Sequence, residues 1–141
     1  MEEFVPGEIF SYDAIIGSNG QPLLETGNNT PRSIMEIVNN QESCFFFIEK
    51  QIKDDLREAG RRCVESFGIR SRFIHFEFFR LLEDHAHLGK KGTIVSLEAN
   101  LRPSGGFTPD MINYANSTDV YKDWADMITF DRLSSKASAE K

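Results

Sequence analysis

Apolar and polar positions alternate early in this chain. The segment "EIFSYDAIIGSNGQPLLET" holds two β-prone runs joined around Asn19-Gly20, a dipeptide that readily takes the positive φ angles of a tight turn, so the pattern predicts a β-hairpin. "GNNTPRS" reads as a loop by composition, with Pro31 setting the backbone for the short segment "SIMEIVNN". From about Phe45 to Phe67 the period changes. Phe47, Ile48, Ile52, Leu56, Cys63, Val64 and Phe67 recur at helical spacing among charges suited to an exposed face, which predicts the main helix, ended by Gly68.

"IRSRFIHFEFFRLLE" returns to period two, with Ile74, Phe76 and Phe78 on one side and Phe73, His75, Glu77 and Phe79 on the other. Both sides are mostly apolar, so this strand is expected to be central. "DHAHLGKKG" is a polar connector and "TIVSLEAN" the returning strand. "TPDMINYAN" and "STDVYKDWADMI" each open with Thr or Ser followed by an acid, as helix N-caps do. The expected order is strand, strand, helix, strand, strand, helix, helix. That order implies an α+β fold, an antiparallel sheet of hairpins with helices packed on one face, in a single domain over 1–130. The tail, 131–141, lacks an apolar period and is expected to fray.

A chain of 141 residues that is 40% hydrophobic is long enough for one compact core and too short for two ordinary domains. Its twelve Phe cluster in "CFFFIEK" and "FIHFEFF", as buried strands require. A formal charge of -6 argues against binding nucleic acid or anionic membrane, both of which need basic surface, but not against a nucleotide met locally by a metal and one or two cations. Cys44 and Cys63 form no C-x-x-C pair and read as buried free thiols. "MEEFVPGEIF" lacks the basic start and apolar run of a signal peptide, so a cytoplasmic location is expected.

The chemistry concentrates in "VSLEANLRPSGG". In an extended strand Glu98, Asn100 and Arg102 share one side while Val95 and Leu97 point to the other. A hairpin from Arg72 to Asn100 brings Glu77, an acid set among phenylalanines, opposite Glu98 and Asn100. These residues also suit the solvent edge of a half-buried strand, and a salt bridge from Arg70, Arg72 or Arg80 would satisfy Glu77. A second carboxylate on the adjoining strand, however, calls for a shared positive partner. Mg²⁺ is one, taking carboxylate oxygens together with water and substrate phosphates, and Arg102 offers a planar fork to a phosphoryl group or acyl phosphate. His75, His85 and His87 invite zinc without a short-spaced thiol pair to complete it, and His75 reads as a core histidine. A base-stacking sheet of phenylalanines would need flanking Lys and Arg, which the acidic balance does not favour.

At these residues the chain resembles the ATP-grasp superfamily. "FIHFEFF" followed by "GTIVSLEANLRPSGG" is similar to the metal-binding hairpin of biotin carboxylase, the carbamoyl-phosphate synthetase large subunit and many carboxylate–amine ligases. The resemblance implies that Glu77 binds one Mg²⁺, Glu98 bridges two and Asn100 holds the second, with Mn²⁺ able to substitute. Arg102 would orient phosphate or substrate as the catalytic arginine, and Ser104, Gly105 and Gly106 would line the substrate side. "EEFVPGEIFSYD" resembles the family's adenine hinge: Glu2 would accept from the adenine amino group, the backbone of Glu3, Phe4 and Val5 would meet the adenine edge, and Glu8 would bind the ribose hydroxyls of ATP.

The resemblance spans Glu2 to about Met127 and matches the C-terminal half of a grasp module; the half bearing the glycine-rich loop and phosphate-neutralising lysines does not precede Met1. The expected function is the Mg-ATP-binding half of a ligase that activates a carboxylate as an acyl phosphate for attack by an amine or similar nucleophile, inactive without its complement. The expected partners are nucleotide, the missing N-terminal half in the same or another chain, and a second copy meeting it through the exposed inner face. A non-catalytic interaction or dimerisation module derived from this fold is the alternative.

Overall fold

The computed structural model describes residues 3–31, 34–43 and 45–134. Its elements are β1 (Gly7–Ile16), β2 (Pro22–Thr30), α1 (Ile34–Asn40), β3 (Phe47–Glu49), α2 (Asp54–Ser66), β4 (Arg72–Leu81), β5 (Ile94–Asn100), α3 (Thr108–Asn116) and α4 (Val120–Phe130). The fold is α+β: the strands form one antiparallel sheet in the order β3-β2-β1-β4-β5, so β4 is internal as its two apolar sides require. The β1–β2 hairpin turns where expected. Gly20 takes φ 79, and the Asn19 side chain accepts from the Gln21 N–H at 2.9 Å.

One face of the sheet packs on α2. Phe10, Tyr12, Ala14 and Ile16 of β1 and Ile74, Phe76 and Phe78 of β4 bury against Leu56 and Val64. The helix crosses so close to β1 that a Cβ on Gly60 would lie 2.4 Å from Cγ of Tyr12. A Schellman motif ends α2, with Gly68 at φ 61 and Ile69 N–H donating to the Val64 carbonyl at 3.0 Å.

The opposite face carries a second core, which corrects the expectation that the helices pack on one side only. Ile15 and Phe73 of the sheet meet Ile112 of α3, Val120 and Met127 of α4, and Leu133, while Trp124 sits edge-on to Phe73 with ring centroids 5.7 Å apart. The reason lies in β1, where consecutive residues Ala14, Ile15 and Ile16 are all fully buried, so both faces of that end of the sheet need cover. Leu133 belongs to this core, and the Asp131 carboxylate accepts from the Ser18 N–H at 2.7 Å. The described part of the expected frayed tail, 131–134, is therefore packed, and the rest lies outside the described residues.

Three local expectations differ from the structure. The main helix starts at Asp54 rather than near Phe45, because Phe47, Ile48 and Glu49 instead pair with Asn29, Asn28 and Gly27 at the sheet edge. The "GNN" of the expected loop is strand, and Gly27 sits close under Ile52 and Leu56, where a Cβ would fall 3.3 Å from Cγ1 of Ile52 and 3.5 Å from Cδ2 of Leu56. The caps of the last helices also shift. α3 has no side-chain cap and carries Pro109 in its first turn, while α4 is capped by Asp119, which accepts from the Lys122 N–H at 3.1 Å. Among the described residues, no helix is long and apolar enough to cross a membrane.

Candidate functional site

The second sheet face changes character along its length. Near the β1–β2 turn it is apolar and covered by α3 and α4; one pair further along β1 and β4 it becomes polar. Asp13 stands opposite His75 and Ser11 opposite Glu77, while on β2 Thr26 faces Asp13 and Asn28 faces Ser11. All of these except Glu77 are buried, and Asp13 is wholly so.

The β4–β5 register continues this floor. His75 pairs with Asn100 and Glu77 with Glu98, the juxtaposition expected of the hairpin. The register then slips between Glu77 and Phe78, since Phe78 pairs with Ser96 and leaves Leu97 as the extra residue. One consequence is that Val95, opposite Phe79, falls on the same side as Glu98, although simple alternation put it on the other. Glu98 is exposed and Asn100 half-buried. Arg102 follows in the turn, exposed, with Nη1 donating to the Pro103 carbonyl at 2.9 Å. Gly105 and Gly106 have open space where a side chain would project.

The partner of Glu77 is a histidine rather than an arginine. His75 Nδ1 lies 2.9 Å from Oδ1 of Asp13, and Nε2 lies 3.1 Å from Oε1 of Glu77. Burial opposes charge on this ring, but the hydrogen bonds and charges of the two carboxylates outweigh it and raise its pKa from 6.5 to about 9. Glu77 is held below the usual carboxylate range, chiefly by the hydrogen bond from His75; burial opposes this, and the charges of His75 and Arg102 reinforce it. The arginines considered for Glu77 are engaged elsewhere in two cases: Arg80 forms a two-pronged pair with Asp55, at 2.6 and 3.0 Å, and Arg70 donates to the Ser18 carbonyl.

The described residues expected to hold nucleotide lie apart from this floor. Strand alternation puts Glu8 on the α2 side, opposite Arg80, whereas Ile9 shares the face of Glu77. The structure therefore does not bring Glu8 to the Glu77–Glu98 floor. Glu3 is exposed and lies 3.3 Å from His85 Nε2, Phe4 is 72% exposed, and Val5 is half-buried. This segment is tied to the β4–β5 connector, with the Leu82 N–H donating to the Pro6 carbonyl at 3.0 Å. Glu2 and Cys44 lie outside the described residues. His85 serves its own loop, its Nδ1 accepting from the His87 and Leu88 N–H groups, both at 3.3 Å.

Two carboxylates and an amide oxygen make a hard, oxygen-only donor set of the kind Mg²⁺ takes when water and phosphate complete its shell. Among the described residues no group of three or more His, Cys, Asp and Glu is placed to hold a metal by itself. Asp13, Ser11, Thr26 and Asn28 escaped the sequence reading. Asp13 had a signal, because an acid inside the β-prone run "SYDAII" raises the same burial problem as Glu77. No protein-family model matches this chain, and no curated protein matches it.

Proposed function

We propose that the chain is the Mg-ATP-binding half of an ATP-grasp ligase, which activates a carboxylate as an acyl phosphate for attack by an amine or similar nucleophile. The observation that carries this reading is the β4–β5 register, which sets Glu77 opposite Glu98 with Asn100 beside His75, two residues along the same face with no bulge between. Like charges placed directly across a ladder are unfavourable unless a positive group joins them. His75 answers Glu77 from one side, while Glu98 is exposed and able to take a cation.

In this reading Glu77, Glu98 and Asn100 hold Mg²⁺, which supplies neutralisation of the transferred phosphoryl group. Arg102 stands in the turn after Asn100, close enough for its charge to act on Glu77, and its fork suits phosphate oxygens. The substrate carboxylate displaces ADP at the γ-phosphorus, and the nucleophile then displaces inorganic phosphate at the acyl carbon. A complementary half of the grasp would supply the remaining phosphate-binding charge.

Titration of the ¹⁵N-labelled chain with Mn²⁺, with and without ADP, tests this reading. Paramagnetic broadening should centre on residues 77, 98 and 100, spread toward residues 3–5 when ADP is added, and disappear from that centre in Glu98→Gln. Diffuse broadening over the acidic surface would count against it. It would favour the second reading, a non-catalytic interaction module, which is supported by apolar side chains flanking the same turn: Leu101 is 54% exposed and Phe107 80% exposed.

A further inference from the structure

We propose that His75 is a positioning residue: anchored by the buried Asp13 on Nδ1, it fixes the Glu77 carboxylate opposite Glu98 and so pre-forms half of the cation site. This inference rests on the metal reading of Glu77 and Glu98 for its function, but not for its geometry. The three side chains form a line across two strands. Asp13 is fully buried and its Oδ1 receives Nδ1 of His75, the residue directly opposite it in the β1–β4 register. With one nitrogen held, the ring cannot swing, and Nε2 is presented to Glu77 two residues further along the same face.

That contact occupies Oε1 and leaves Oε2 without a hydrogen bond among the described residues. A free glutamate samples many rotamers, and ordering it on binding weakens affinity; a neighbour that orders it beforehand removes that cost. Buried partners of this kind, touching a ligand's other oxygen, are known to change metal affinity by tenfold to a hundredfold. Thr26 and Ser11, neutral neighbours of Asp13 and Glu77 on the same face, bring no competing charge.

A merely structural role, neutralising buried Asp13, makes a different prediction. His75→Asn retains an amide N–H near the Nδ1 position, toward Asp13, but is too short for Glu77; His75→Gln reaches toward Glu77 and forgoes Asp13. Side-chain ¹³C relaxation and Hβ couplings of Glu77 in the metal-free full chain should show one rotamer in the wild type and in His75→Gln, and averaging in His75→Asn. Mn²⁺ alone should bind His75→Asn about tenfold more weakly than wild type, with affinity largely restored in His75→Gln even where that variant melts lower. An averaged Glu77 in the wild type, or a Glu77 that stays fixed in His75→Asn, overturns the proposal. So does affinity that follows melting temperature across the variants. Loss of Glu77 order in His75→Asn, with no Mn²⁺ effect at residues 77, 98 and 100 in any protein, would uphold the positioning and overturn the metal reading.

Discussion

His75 shows how one buried ring links fold to pH. Its folded pKa of about 9 lies above the ordinary 6.5, so protonation favours the folded state. The resulting stability is fully present below pH 6.5 and is lost as the pH rises through about 9. A difference of this size corresponds to roughly 3 kcal/mol, an order-of-magnitude figure for a side chain only 11% exposed. Urea unfolding of the metal-free chain should therefore show a midpoint that falls between pH 6 and pH 9.5, and His75→Gln should largely abolish that fall. A profile of equal slope in both proteins would assign the pH dependence to other groups. The sequence displayed His75 and Glu77 on one strand face, but Asp13 lies 62 residues away from His75 and became its partner only through the β1–β4 register.

At the level of elements, the contact of α2 with β1 is set by an absent side chain. Gly60 lies in the middle of a helix, where glycine costs about 1 kcal/mol relative to alanine in propensity alone. Yet a Cβ there would meet the Tyr12 ring at 2.4 to 2.7 Å, and Tyr12 is itself held by a 2.7 Å hydrogen bond to Glu25, which Arg61 grips from the same helix. Gly60→Ala should consequently destabilise by about 1–3 kcal/mol despite its better helix propensity, read as a lower urea midpoint with an unchanged slope. An increase in stability would show that helix and strand separate at little cost. Neither this approach nor the bulge at Leu97 was visible in the sequence. Periodicity reports which face is apolar, not how near two elements come or where a ladder slips.

For the whole molecule, the second core carries the packed structure past residue 130. Leu133 is buried with Ile112, Val120 and Met127, and Asp131 ties the end of α4 to Ser18 in the β1–β2 turn. Leu133→Ala should cost about 2–5 kcal/mol, and ending the chain after Phe130 at least as much, both measured by chemical unfolding. A chain ended at Phe130 with unchanged stability would show that α3 and α4 hold the sheet face opposite α2 without residues 131–134. α3 and α4 are drawn to Ile15 and Phe73 at one end of the face, while the stretch from Asp13 to Glu77 holds polar side chains, buried except at Glu77, with Asn116 at the end of α3 reaching Thr26.

The α+β class, the opening hairpin and the central strand with its two-sided burial were legible in the sequence, as was a β4–β5 hairpin able to bring Glu77 near Glu98 and Asn100; the exact pairing of Glu77 with Glu98 depends on the bulge at Leu97. The legible features follow from local rules: period-two alternation, a turn dipeptide, and a polar, glycine-bearing connector between two β-prone runs. The tertiary structure alone decided that helices cover both faces, that Glu8 and Glu77 lie on opposite sides, and that Asp13 anchors His75. Each of these depends on contacts between residues far apart in the chain, whose side chains compete for the same buried space and the same few hydrogen-bond partners. No single segment carries the outcome of that competition.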